Sequence, residues 1–507
     1  MPFMLREYKL SPITIFGAIT LIAMVEAASG TTLMFVGTVA LTLLFVAITY
    51  NLIGGLSTLS GILFTAFALR TIVISQLGKA ILFERADGNL EAPMVTISMY
   101  ALFYFSAMVG MFLYARVRLG LVRPLEPVSP SHSRRLYVIA LVVGTIGIVV
   151  FERYGLDPDN QVPDNVRSAG LAFSGLLLFA IVVAVDARIR DSGGRHSFGL
   201  SVFVPSAIYW ISGFLTTSRT SFLTPLVAYL ATCYMRGYRF RRRHYVMALA
   251  MGVFFVTIYS PFELYARNVL VGRDVRDRIG KAFQLILAPP SKSDLESLSE
   301  HDVEEDPRSE YFDRAGFTVL NRFSLIRPDS NLISACANGY HYGFTTIKID
   351  ILANVPRFLY PDKPNENAVA FVGRVSGMNP DAVENEAVAC SPIAESYGCF
   401  GWPGVAVFGF CIFPLLFLVC ESVFDASRPW GTVAIGMLLP TFSEDGIGSY
   451  IAKTIRIPVY LVLLSWLVGG IARMFPSRGD EELSQDGGSV PSGLTDPIEP
   501  KLPESAF

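Results

Sequence analysis

Apolar runs close to the length needed to cross a lipid bilayer recur through most of this chain, and no water-soluble core could absorb them all. A transmembrane helix needs about 20 mostly apolar residues to span a hydrocarbon layer of roughly 30 Å. About twelve such runs are present, at 12–29, 32–53, 56–78, 94–115, 136–151, 169–185, 198–216, 220–235, 244–263, 402–422, 430–448 and 454–473. With 52% hydrophobic and only 17% charged residues among 507, a soluble fold would leave far too much apolar surface in water. The expected fold is an all-α polytopic membrane protein with about 12 transmembrane helices and one large outer loop. The fifth run is short, and the eleventh carries Glu444 and Asp445 near its end.

Orientation follows from the basic residues of the short loops, because cytoplasmic loops are enriched in Lys and Arg. Segment 116–135 holds Arg116, Arg118, Arg123, Arg134 and Arg135; 186–197 holds Arg188, Arg190 and Arg195; 236–243 holds Arg236, Arg239, Arg241, Arg242 and Arg243. The alternating loops 79–93 and 152–168 hold two basic residues each, balanced by acids. Both termini are therefore expected inside, and the parity of the spans puts the long insertion 264–401 outside. The expected organisation is a membrane domain of nine helices over 1–263, the outer loop over 264–401, three helices over 402–475, and a polar tail over 476–507 with too few apolar residues to pack.

Arg6 and Lys9 ahead of the apolar run from Ile13 to Val25 also resemble a signal peptide, although an uncleaved first span is the preferred reading. The six cysteines form no metal-binding pattern. Cys233, Cys411 and Cys420 lie in spans, whereas Cys336, Cys390 and Cys399 lie in or beside the outer loop, where an oxidising compartment would permit one disulfide and a leftover thiol. Within the bilayer, Glu26 and Arg70 are costly unless paired or placed at an edge, and Arg70 is deep enough to require a partner. The chain has no phosphate-binding glycine loop, no dinucleotide fingerprint and no basic tract suited to nucleic acid.

The insertion has internal structure. Residues 264–288 alternate Arg267, Arg273, Arg276, Arg278 and Lys281 with apolar positions, a pattern for an interfacial amphipathic helix that Pro289 and Pro290 end. The acid-rich stretch 291–310 reads as a solvated connector. Apolar spacing returns at 315–325 and 331–337, the sequence NGYHYG at 338–343 makes a turn carrying His341, and a helical pattern resumes over 344–355. In 356-PRFLYPDKP-364, three prolines stiffen the backbone around Arg357 and Lys363.

Several of these segments together resemble the O-antigen polymerase family of membrane enzymes. The resemblance is carried by Ser218–Arg219–Thr220, Asn321–Arg322–Phe323, the Tyr342–Gly343 turn followed by 354-NVPRFLYPDKP-364, and 395-ESYGCFGWPG-404. It covers roughly residues 200–400 in motif terms, and the first seven spans only by count and hydropathy. It implies a glycosyltransferase of the bacterial inner membrane that joins polyprenyl-diphosphate-linked oligosaccharide repeat units, with no metal or other cofactor. Membrane lipid and a chain-length regulator protein would be further partners.

The residue chemistry fits that expectation independently. A departing diphosphate gathers negative charge, which guanidinium groups stabilise best where water is scarce. Arg219 is the first candidate for that role, followed by Arg322, Arg357 and Lys363; interfacial anchoring of these side chains is the plain alternative. Arg267 and Arg273 lie about one and a half helical turns apart, and attraction to lipid phosphates accounts for both without catalysis. His341 and Glu395 are the two candidate bases for the acceptor hydroxyl, with Tyr397 beside Glu395 as a substrate contact. For Glu395, helix capping competes with catalysis. Three rival functions share part of this pattern: an O-antigen ligase, a lipid-linked glycan flippase, and a glycan-binding membrane sensor.

Overall fold

The computed structural model describes residues 9–117, 133–155, 164–216, 219–254, 259, 280, 324–337, 339–355, 360, 368–376 and 390–474. Every regular element among the described residues is helical. In chain order they are α1 Pro12–Ala28, α2 Leu33–Leu52, α3 Leu59–Leu82, α4 Pro93–Val117, α5 Ser133–Gly155, α6 Asp164–Asp191, α7 Leu200–Thr216, α8 Arg219–Met235 and α9 Arg242–Phe254. They continue with α10 Ile326–Cys336, α11 Thr345–Asn354, α12 Ala368–Val375, α13 Pro392–Val423, α14 Pro429–Leu438 and α15 Ile447–Met474.

Among the described residues, seven helices, α2 to α6, α13 and α15, are long and apolar enough to cross a membrane. The protein is thus an all-α, multi-pass membrane protein. Each of the other five apolar runs contains a helix of 10–17 residues. Two lengths differ from the sequence reading. The fifth run, read as 136–151, forms the 23-residue α5. The eleventh ends after the ten residues of α14, about 15 Å at 1.5 Å per residue, and gives way to turns that hold Glu444 and Asp445.

Local chemistry explains several boundaries. Ser11–Pro12 and Ser391–Pro392 open α1 and α13 in the same way: the serine hydroxyl accepts the N–H of the residue three positions on, at 3.1 Å from Thr14 and 3.3 Å from Ala394. Proline at the first helical position has no N–H to leave unpaired. Thr58 caps α3 by accepting from Gly61 at 3.0 Å.

The most enclosed span is α6, packed on α5, α7, α8, α14 and α15. Gly144 and Gly147 let α5 lie directly on it, since a Cβ at either position would fall 2.7 Å from the backbone nitrogen of Leu177 or Ser174. Small residues in this role are how membrane helices gain dispersion contact without a hydrophobic driving force between them.

Two spans contain a π turn, at Leu69–Val73 in α3 and Phe408–Ile412 in α13. The first frees a carbonyl: the oxygen of Arg70 accepts the N–H of Leu325, at the start of the insertion's described part, at 3.1 Å. Docking continues at α10, where Asp329 accepts from Tyr100 and from the Ser391 hydroxyl, both at 2.5 Å, and from the Ser391 N–H at 2.7 Å. Ser330 Oγ accepts the Ala92 N–H at 3.0 Å. All these contacts lie at the Pro93 end of α4, whereas Arg116 lies at the opposite end of that 25-residue helix.

The three loop-associated cysteines, Cys336, Cys390 and Cys399, are free thiols and all buried, so the permitted disulfide does not form. Arg70 has the partner its depth required, the carboxylate of Glu444. Glu26 is fully buried within electrostatic reach of Lys79.

Candidate functional site

The kink of α13 organises the site. Gly401 has φ 64° and ψ −149°, a left-handed backbone that favours glycine, and Pro403 follows two residues later. In a regular helix the N–H of residue 403 would bond to the carbonyl of Cys399, but proline has none to offer. The Gly343 N–H takes that carbonyl at 3.2 Å, and the Tyr342 N–H takes the neighbouring one, Gly398, at 3.1 Å. Carbonyls released by the kink therefore fasten the 339–343 turn to the membrane helix. The side chains fit accordingly: Tyr342 is buried against Gly398, where any Cβ would collide with its ring, and its hydroxyl donates to the Glu395 carbonyl at 3.3 Å. The two sequence motifs NGYHYG and ESYGCFGWPG are thus one unit in space.

This unit presents an aromatic edge. The exposed His341 ring stands perpendicular to Tyr397 at 5.8 Å, and Tyr397 stands perpendicular to Trp402 at 5.7 Å. A Cβ on Gly401 would come within 3.2 Å of His341 Nε2, so glycine there leaves room for the imidazole as well as permitting the kink.

Glu395 points elsewhere. It is only 4% exposed, and its Oε2 accepts the Ile447 N–H at 2.7 Å, while Asp350 Oδ2 accepts the Ser449 N–H at 3.1 Å. Two carboxylates from two elements thereby cap the first turn of α15, where the helix dipole and unpaired N–H groups favour negative charge. Gly446 makes this possible, since a Cβ there would lie 2.5 Å from Asp350 Oδ2 and 2.7 Å from Glu395 Oε2.

Beyond the cap is a cavity of about 70 Å³ lined by Asp350, Glu395, Glu444, Asp445 and Ser449, together with apolar residues of α12. Glu395 Oε1 is buried there and, among the described residues, meets no partner at full hydrogen-bond geometry. The cavity has room for a few waters and not for a sugar ring. Lys453 pairs with Asp445 and Arg70 with Glu444, which offsets part of the negative charge. Burial is the largest influence on Asp350 and raises its carboxyl to about 6, with the Ser449 hydrogen bonds opposing. Burial likewise raises Asp329 to about 6. Both groups titrate far closer to neutrality than a free aspartate does. Among the described residues, no three His, Cys, Asp or Glu side chains form a group able to hold a metal ion.

Of the residues singled out from the sequence, His341, Glu395 and Tyr397 are brought to one end of α13, His341 and Tyr397 on the open edge and Glu395 in the interior. Arg219 begins α8, and its side chain lies outside the described residues. So do Arg267, Arg273, Arg322, Arg357 and Lys363, with the amphipathic stretch 264–288, the connector 291–310 and the tail 476–507, apart from Gly280. The sequence reading missed Asp350 and Lys453. Lys453 carried a signal, being an ionisable residue at the edge of an apolar run; Asp350 carried none, because its importance comes from α15, about a hundred residues later.

No known protein family, curated protein or solved structure matches this chain.

Proposed function

We propose that this protein is a glycosyltransferase of the bacterial inner membrane that polymerises polyprenyl-diphosphate-linked oligosaccharide repeat units on the outer face, into O-antigen or a related exopolysaccharide. All twelve apolar runs cross the bilayer in this reading, with the insertion in the periplasm. The observation that carries it is the junction of the 339–343 turn with the kinked start of α13, which joins two of the segments that carry the resemblance, Tyr342–Gly343 and 395-ESYGCFGWPG-404, into one edge. That edge lies on the end of the helices remote from Arg116, where a substrate held in the outer leaflet would meet it.

In the reaction, the acceptor hydroxyl oxygen attacks the anomeric carbon of the donor sugar. The bond from that carbon to the diphosphate breaks, and the polyprenyl diphosphate departs with its electron pair. His341, exposed beside Tyr397, takes the hydroxyl proton; the enclosed Glu395 holds the site by capping α15. Arg219, Arg322 and Arg357 bind the diphosphates, and Arg267, Arg273 and Lys363 draw phosphate to the surface. Catalysis then needs no metal.

Purified protein given a lipid-linked repeat unit is expected to yield a ladder of lengthening glycans. A ligase would add one finished chain to a lipid acceptor, and a flippase would yield no new glycosidic bond. An undiminished ladder from Arg219→Ala would remove that arginine from the mechanism, and no ladder from the wild type would overturn the assignment.

A further inference from the structure

At the opposite end of the protein, an apolar groove of about 860 Å³ runs between α7, α8 and α9. Val202 and Trp210 of α7, Leu226 and Tyr229 of α8, and Met251 of α9 line it. Its far end is closed by Trp210, whose indole N–H donates to the Phe222 carbonyl at 3.1 Å, and by the stacking of Phe222 on Phe254. From Leu200 to Trp210 is ten residues of helix, about 15 Å, so the groove reaches well into the hydrocarbon layer. A slot with so few polar groups cannot hold water and is filled by hydrocarbon when the protein is in a bilayer.

Its mouth selects what that hydrocarbon belongs to. His196, Phe240 and His244 frame the opening, and Arg195, Arg239, Arg241 and Arg242 adjoin them in the chain. All four arginines are exposed, and none forms an ion pair among the described residues. Arg190 and Arg236 behave differently: both pair with Asp186, so the buried acid near this opening is already committed. Four exposed guanidinium groups next in the chain to the mouth of an apolar slot, with no ion pair among the described residues, complement a ligand with an anionic head and a long hydrocarbon tail.

We propose that this groove binds an anionic glycerophospholipid, with one acyl chain between α7, α8 and α9 and the phosphate among Arg195, Arg239, Arg241 and Arg242. The site is separate from the glycosyl-transfer edge and does not depend on that reading. Its lipid belongs to the leaflet on the arginine-bearing face and ties α9 to α7 and α8, since Val246, Leu249 and Val253 on the other side of α9 are largely exposed.

The test uses full-length protein in phosphatidylcholine vesicles containing a minor fraction of lipid with brominated acyl chains, either phosphatidylglycerol or phosphatidylcholine. Quenching of Trp210 is read as the difference between wild type and Trp210→Phe. Brominated phosphatidylglycerol is expected to quench Trp210 at mole fractions where brominated phosphatidylcholine does not. Arg239→Gln, Arg241→Gln and Arg242→Gln should each weaken that preference about fivefold. Gly252→Phe, which places a ring where Gly252 faces open space, should abolish quenching by both lipids. Equal quenching by the two lipids, or none by either, overturns the proposal on the wild-type protein alone.

Discussion

Arg70 in α3 forms an ion pair with Glu444 in the turn before α15, joining positions 374 residues apart. The pair spans the place where α3 departs from regular winding and the place where the eleventh apolar run stops being helical. It ties the two irregularities together.

Removing either member leaves a partly buried charge without its counterion, which costs more than removing both. Arg70→Met and Glu444→Gln are each expected to destabilise the protein by on the order of 2 kcal/mol. The double variant should lose clearly less than the sum of the singles. Thermal unfolding in detergent of the four proteins measures this coupling, and strict additivity would show that the pair contributes little.

The kink of α13 supplies a second prediction. Pro403→Ala restores an N–H that competes with Gly343 for the Cys399 carbonyl. Amide exchange at Tyr342 and Gly343 is then expected to accelerate, while the helix after 403 stays protected. Gly398→Ala should be more damaging, by roughly 1–3 kcal/mol, because its methyl group meets the ring of Tyr342.

Stability should fall as pH rises through the range set by the two buried aspartates. Asp350 and Asp329 titrate at about 6 in the folded protein against 3.8 for a free aspartate, so the folded state holds more protons across that interval. The stabilisation is present below about 4 and is lost progressively as pH climbs past 6. Each group contributes up to about 3 kcal/mol, from two pH units at 1.36 kcal/mol each. Asp350→Asn still accepts from Ser449 and should flatten its share of the slope in melting curves recorded from pH 4 to pH 8.

Cys336, Cys390 and Cys399 are buried free thiols; burial raises Cys336 to about 11 and Cys390 well above the ordinary thiol range, and Cys399 is closed from solvent within α13. A membrane-impermeant maleimide should leave them unmodified in the native protein and label them after denaturation. Migration on a gel should not change with reductant. Rapid native labelling of any of the three would contradict the packing described.

Much of the framework was legible in the sequence. Each apolar run contains a helix, because hydrocarbon leaves the backbone no partner other than itself. Ser11–Pro12 and Ser391–Pro392 announce helix starts by chemistry confined to a few residues. What the sequence did not disclose depends on distant segments: the pairing of Arg70 with Glu444, and the convergence of Asp350 and Glu395 on Ile447 and Ser449. His341 was noticed for its titration range, yet its orientation is set by Tyr397 and by the absence of a side chain at Gly401, sixty positions later.

The widened turn at Leu69–Val73 also fixes a phase relation along α3. Deleting one residue from it would restore ordinary winding while leaving Ile74 to Leu82 close to their present phase, because the wide turn only takes up one extra residue. The carbonyl that receives Leu325 would be recaptured within α3, and the insertion would lose its first mooring. A shortened protein of this kind would still enter the bilayer, but with its extramembrane segment unhitched.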